Sequence, residues 1–178
     1  MTLTFITGNA AKAEQLARHL EFPVKHKKLD IPEIQSLDLK EVAQHKAKEA
    51  YKQIESPVLV EDTSLVFHAL GKLPGPLIKW FLEELGNEGL CRLLDSYQDR
   101  TALAKVCFCF YNGNTQKVFE GEMKGTIADS PKGERGFGWD PIFIPQGKTK
   151  TWGEMDIEEQ KETSIRRIAL KKLESYLK

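Results

Sequence analysis

The chain has 178 residues, 40% of them hydrophobic and 29% charged, which suits one soluble globular domain with its own core. Its 26 Lys and Arg balance 26 Asp and Glu, so no global field draws in nucleic acid or a membrane surface. An anionic ligand must then be held by locally placed cations.

No stretch reads as a signal peptide or membrane span. Cys91, Cys107 and Cys109 are odd in number and match no zinc spacing; two of them alternate along an apolar strand, where buried, inert thiols are expected, and a reducing cytoplasm fits. Thr2–Thr7 reads as a first buried strand. Thr7-Gly8-Asn9-Ala10-Ala11-Lys12 then turns into a helix carrying Leu16, Ala17 and Leu20 on one side. Strand, glycine turn and helix aim free backbone N–H groups at an anion. Lys12 opposes the helix dipole, which makes sense beside a phosphate, although plain helix capping fits the same turn. A P-loop is absent: Gly147-Lys148-Thr149 imitates its end, but Ile142 stands where the first glycine is required.

A second strand to Leu29 follows, and its basic run Lys25-His26-Lys27-Lys28 suits a solvated edge. The loop Asp30–Gln35 carries Glu33. Leu39, Val42, Ala43, Ala47, Ala50 and Ile54 then mark a helix over 39–54. Lys46 falls on or beside that apolar stripe, so it either snorkels past the core or reaches into a cleft. Ser56-Pro57 breaks the chain, and Val58–Thr63 reads as a buried strand ending in Glu61 and Asp62 on opposite faces. Together with Glu33, one of these acids could hold Mg²⁺; a solvated strand end is the alternative.

Leu73-Pro74-Gly75-Pro76 is a rigid turn before a helix over 77–85. Its inner face is Leu77, Ile78, Phe81, Leu82 and Leu85, with Lys79 off that face near the helix start. A second short helix spans 87–94. A long apolar strand over 101–111, the hairpin signal Asn112-Gly113 and a return strand over 117–128 look structural.

After a polar loop comes Gly136-Phe137-Gly138-Trp139-Asp140-Pro141. The glycines permit unusual backbone angles and close approach. The aromatics supply flat faces and Asp140 a carboxylate, which suits a purine pocket; a tight bend into the buried run Ile142–Ile144 is the alternative. Asp156-x-x-Glu159 signals a capped short helix. Ser164 is an N-cap candidate for a closing helix bearing Ile168, Ala169, Leu173 and Leu177. Arg166 and Arg167 open it, the third place where a cation sits near a helix start, and this repetition favours recognition of an anion or carbonyl.

Thr7–Lys12, Val60-Glu61-Asp62-Thr63, the block from Leu73-Pro74-Gly75-Pro76 to Trp80-Phe81, Phe137–Pro141 and Lys161-x-x-Ser164-x-Arg166 occur in order along the chain. Together they resemble the Ham1 / inosine triphosphate pyrophosphatase family, eukaryotic-type branch, over essentially the whole length. The resemblance implies a single domain over 1–178, with an elongated, two-lobed α/β fold, a mixed sheet and a central cleft. It also implies a Mg²⁺ requirement, a homodimer, and hydrolysis of ITP, dITP and XTP to the monophosphate and pyrophosphate.

On that footing Glu33 and Asp62 hold the metal, with Glu61 the lesser candidate, and Asp62 serves the attacking water. Thr7, Asn9, Lys12, Lys46, Lys79 and Lys161 cradle the phosphates. Phe137 and Trp139 wall the base, while Asp140, Ser164 and Arg166 contact substrate. One departure stands out: the family pattern Ser-His-Arg is Ser164-Ile165-Arg166 here, and Ile165 cannot replace a hydrogen bond. Two other classes compete, a purine nucleotide sensor without turnover and a Maf-like pyrophosphatase acting on other nucleotides.

Overall fold

The computed structural model describes residues 3–8, 10–20 and 24–178. Strand β1 (Leu3–Ile6) leads into helix α1 (Ala10–Leu20), and β2 (Val24–Lys27) pairs parallel with β1. Lys25, His26, Lys27 and Lys28 are all exposed at this sheet edge, where charged side chains discourage further strand pairing.

Helix α2 (Leu39–Ile54) begins where the Asp38 Oδ1 accepts a bond from the Lys40 amide at 2.9 Å. It ends at Glu55, in the left-handed region at φ 47°. Its buried stripe of Leu39, Val42, Ala43, Ala47 and Ala50 packs with Val58, Val60, Cys107 and Cys109. Small alanines let the helix lie close to the sheet, as the 3.6-residue spacing requires.

Strand β3 (Val58–Phe67) pairs parallel with β1 and runs past the expected end at Thr63. Leu65 and Phe67 are fully buried, and Leu65 and Val66 pair antiparallel with the short β4 (Pro74–Gly75). The two acids interrupt the apolar run without ending the strand, so Glu61 and Asp62 lie in its middle.

Helix α3 (Ile78–Arg92) is broken at Gly86, whose φ 64° and ψ 177° leave the helical region and yield the two expected helical arms. The expected inner face is only partly realised. Ile78 is buried and Phe81 and Leu82 are half-buried, but Leu85, next to the break, is 41% exposed.

Strands β5 (Thr101–Tyr111) and β6 (Gln116–Ile127) are joined through 112–115. There the Asn112 Oδ1 accepts from the Asn114 and Thr115 amides and Gly113 takes φ 95°. Strand β7 (Phe143–Pro145) pairs antiparallel with β6. The expected capping box of Asp156 and Glu159 opens α4 (Ile157–Thr163), and α5 (Ile165–Leu177) follows.

The described strands form one seven-stranded mixed sheet in the order β2-β1-β3-β5-β6-β7, with β4 beside β3. The chain divides into two compact units. The first comprises 1–62, 106–121 and 168–178. One face of its sheet packs on α2; elsewhere Phe5 meets Phe108, and Tyr176 of α5 meets Phe110 and Phe119. The second comprises 63–105 and 122–167. It is centred on the rings of Trp139, Phe143 and Trp152, with centroids 4.5–5.9 Å apart. Each such pair adds about 0.5–1.5 kcal/mol beyond its buried area.

All three cysteines are free and buried, Cys107 and Cys109 on β5 and Cys91 on α3. Burial pushes the Cys91 thiol up to about 11 and the Cys109 thiol to about 12, and raises Cys107 as well. Thiolates are the reactive species, so a disulfide reagent at pH 8 should leave the folded protein essentially unlabelled over minutes. Denaturant should then release all three thiols. Rapid labelling of the folded chain would show that the packing around β5 or α3 is open.

Candidate active site

The first unit gathers charge where β3 passes α2. Alternation along β3 puts Val58, Val60 and Asp62 on the face against α2, and Leu59 and Glu61 on the other. Lys46, one helical turn from the buried Ala43 and Ala50, reaches the same face. Its Nζ donates to Asp62 Oδ1 at 3.0 Å and to Glu33 Oε1 at 3.1 Å. Lys46 is thus aimed into a carboxylate pair and does not snorkel outward.

Asp62 Oδ2 is buried without a protein partner among the described residues. Burial raises the Asp62 carboxyl above the ordinary range, and the Lys46 ammonium only partly opposes this. Burial also works against the charge on Lys46, yet the carboxylates of Asp62 and Glu33 outweigh it and hold the ammonium charged.

On the opposite face of β3, the Lys12 Nζ lies 3.4 Å from Glu61 Oε1, a carboxylate with 5% of its side chain exposed. The cation at the start of α1 therefore has an acid beside it, whereas the sequence suggested a phosphate. Thr7 follows β1, its amide bonded to the Lys27 carbonyl at 3.1 Å. Asn9 lies outside the described residues.

The donor set suits a hard cation. Glu33 and Asp62 present carboxylate oxygens around one lysine, and one buried Asp62 oxygen is unmatched. No group of three or more His, Cys, Asp or Glu is placed to hold a metal among the described residues. Such a site fits Mg²⁺, which commonly takes one or two carboxylates and completes its shell with water and substrate phosphates.

The second unit separates the two aromatics expected to wall a base. Phe137 is 48% exposed, with the Arg166 guanidinium 4.7 Å from its ring centroid. Trp139 is 9% exposed and packs edge-on to Phe143 and tilted against Trp152, so it presents far less surface than Phe137. Spacing along the chain could not tell the rings apart, because which one turns inward depends on Trp152 from a later loop.

Asp140 shapes the turn: its Oδ2 accepts from the Phe137 amide at 2.9 Å. Burial raises its carboxyl, while that amide and the Arg166 charge pull the other way. Gly136 has φ 78°, and a Cβ there would come within 2.1 Å of Asp140 Oδ2. Only glycine fits.

Ser164 caps α5, its Oγ accepting from the Arg167 amide at 3.3 Å. Ile165 is 4% exposed, so the departure from the family pattern is absorbed as core packing. Lys79 lies at the exposed start of α3, its Nζ 5.1 Å from the Trp80 ring centroid. Lys161 pairs with Glu158 at 2.5 Å on the surface of α4. Neither lysine is drawn into the Arg166–Phe137 contact.

Several supporting residues escaped the sequence reading. Trp152 Nε1 donates to Thr163 Oγ1 at 2.8 Å, and Gln160 Nε2 to the Trp152 carbonyl at 2.7 Å. Asn87 Nδ2 donates to the Gly138 carbonyl at 2.9 Å. The pair Gly86-Asn87, a glycine and a polar turn-former inside a helical pattern, was the one available signal.

Fold and site define a mixed-sheet α/β protein that sets a lysine between two carboxylates and an arginine over an exposed ring. The model of the Ham1 family matches residues 3–176, and the chain belongs to that family. It is 45% identical to "Inosine triphosphate pyrophosphatase 2" of Trypanosoma cruzi over 179 aligned positions, covering 98% of this chain and 91% of that protein. Two solved structures are close in fold. The HAM1 protein from Coxiella burnetii has a TM-score of 0.87 at 25% identity, covering 99% of this chain and 98% of its own. The nucleoside-triphosphatase, or dITP/XTP pyrophosphatase, of Mycobacterium abscessus has a TM-score of 0.78 at 30% identity, covering 97% and 98%.

Proposed function

We propose that the protein is a nucleoside triphosphate pyrophosphatase that hydrolyses the deaminated purine nucleotides ITP, dITP and XTP. The products are the nucleoside monophosphate and pyrophosphate. The observation that carries this reading is Asp62, bonded to Lys46 through one carboxylate oxygen and unmatched among the described residues at the other, buried one. The likeness to an inosine triphosphate pyrophosphatase agrees with it.

In this reading Glu33 and Asp62 hold Mg²⁺, which when bound neutralises triphosphate charge and fixes its geometry. Lys46 keeps both carboxylates oriented and contributes positive charge to the phosphates. Asp62 orients a water and takes its proton. The water oxygen bonds to the α-phosphorus, the bond from that phosphorus to the bridging oxygen breaks, and the electron pair leaves with pyrophosphate. Thr7, Asn9, Lys12, Lys79 and Lys161 are proposed to assist on the phosphates, where positioning and electrostatics do most of the catalysis.

Phe137 stacks on the base, worth about 1–3 kcal/mol. Arg166, already seated at that ring, donates to the 6-oxo group. Asp140 and Ser164 act by holding the Phe137 turn and the start of α5. The enzyme works as a homodimer in the cytoplasm; no helix among the described residues is long and apolar enough to cross a membrane.

Pyrophosphate release from ITP, followed with and without Mg²⁺, is the test. Release that needs the metal is expected. Tight ITP binding with no release under either condition would turn the assignment to a nucleotide sensor.

A further inference from the structure

The break in α3 puts Asn87 in an unusual position. At Gly86 the backbone takes φ 64° and ψ 177°, a conformation open essentially to glycine alone, and helical geometry resumes at Asn87. Asparagine at the start of a helical arm ordinarily turns its side-chain oxygen back to cap its own backbone amides. Asn87 does not. Its Oδ1 is buried without a protein partner among the described residues, while Nδ2 donates to the Gly138 carbonyl at 2.9 Å. The amide orientation is fixed by chemistry, because a carbonyl oxygen can only accept. A buried acceptor left unmatched in a folded protein calls for an explanation.

The receiving carbonyl supplies one. Gly138 follows Phe137 in a loop with no regular backbone pairing, at φ 65°. The Phe137 amide is held by Asp140 Oδ2 at 2.9 Å, and the Asp140 amide returns to the Phe137 carbonyl at 3.3 Å. Both of those bonds lie within the turn. The bond from Asn87 ties the turn to α3, so it fixes where the exposed ring and the guanidinium on it stand relative to that helix.

We propose that Asn87 is a positioning residue for purine recognition, acting through Gly138 on Phe137 and Arg166 and setting nucleotide affinity without entering the chemical step. This rests on the base-binding role proposed for Phe137, and the Kd for ITP of Phe137→Ala, which stays at the parent value only if that role fails, separates the two. Asn87→Ala removes the donor. Asn87→Asp keeps the size but sets an acceptor against the Gly138 carbonyl. Nucleotide affinity is read as the Kd for ITP by calorimetry without metal, and turnover as kcat with Mg²⁺. Order in the loop is read as amide hydrogen exchange of residues 136–140 in the nucleotide-free protein.

The expected result is a Kd weakened about 5–20-fold in Asn87→Ala, the range of a coupling of about 1–2 kcal/mol, and weakened further in Asn87→Asp. Exchange of the loop should be faster in both variants, and kcat within about two-fold of the parent, since a contact outside the chemistry alters binding alone. Unchanged Kd or unchanged loop exchange in Asn87→Ala overturns the proposal, as does a fall in kcat matching the rise in Kd. A parent protein that binds ITP but releases no pyrophosphate removes the enzymatic reading while leaving the affinity and exchange comparisons to decide the role of Asn87.

Discussion

Replacing Asp62 by Asn should lower pyrophosphate release from ITP by about 10²–10³-fold in kcat, the scale set when one preorganised polar group is lost from an active site. Fold and nucleotide binding should survive. The amide is nearly the same shape, its oxygen can still accept from Lys46, and Glu33 remains on that ammonium at 3.1 Å. The direction of the carboxyl shift makes the stability side clear. Burial raises Asp62 above its unfolded value, so its ionised form is disfavoured in the metal-free fold. Stability is therefore lost as pH rises from the ordinary carboxylate range through the raised one. A neutral Asn escapes that cost, so melting of the metal-free variant at neutral pH should not fall by more than about 2–4 °C. Near-normal turnover in Asp62→Asn, with the fold intact, would remove Asp62 from the chemistry.

Discrimination between ITP and ATP should be the largest effect of all, about 10⁴–10⁵ in kcat/KM, because a site built to hydrogen-bond one group leaves its polar atoms unpaired against the wrong one. The guanidinium of Arg166 carries only donors. In the proposed site it would meet an acceptor at the 6-position of hypoxanthine or xanthine, but a donor on adenine. Arg166→Ala should therefore weaken ITP turnover and narrow the preference over ATP, since both bases then meet the bare Phe137 ring. Hypoxanthine and guanine share the 6-oxo group, so their separation must come from the 2-position. Preference for ITP that survives unchanged in Arg166→Ala would move the specificity elsewhere.

How much of this was legible in the sequence varied with how local the cause was. Helix α2 was readable because its apolar spacing lies within the segment, while its Asp38 cap was found only in the structure. The capping box of α4 was readable for the same reason. Lys46 could be placed beside the apolar stripe, but whether it reached inward depended on a carboxylate from a loop before the helix and another on β3. The extent of β3 was missed because two acids broke its apolar run, while the pairing that extends it comes from β4. Trp139 and Phe137 look equivalent in the chain, and only packing against Phe143 and Trp152 sends one inward. Leu85 fitted a helical face that the turn at Gly86 interrupts. Asn87 shows the same limit: its partner is a backbone carbonyl, which has no signature in any sequence.

Pyrophosphate release by the parent protein in Mg²⁺, measured in parallel on ITP, XTP, GTP, dUTP and ATP, bears most directly on the assignment. The proposed enzyme should give rapid release from ITP and XTP, with ATP and dUTP close to background. Equal rates on ITP and ATP, or a preference for dUTP, would contradict it and favour a pyrophosphatase of the Maf-like kind.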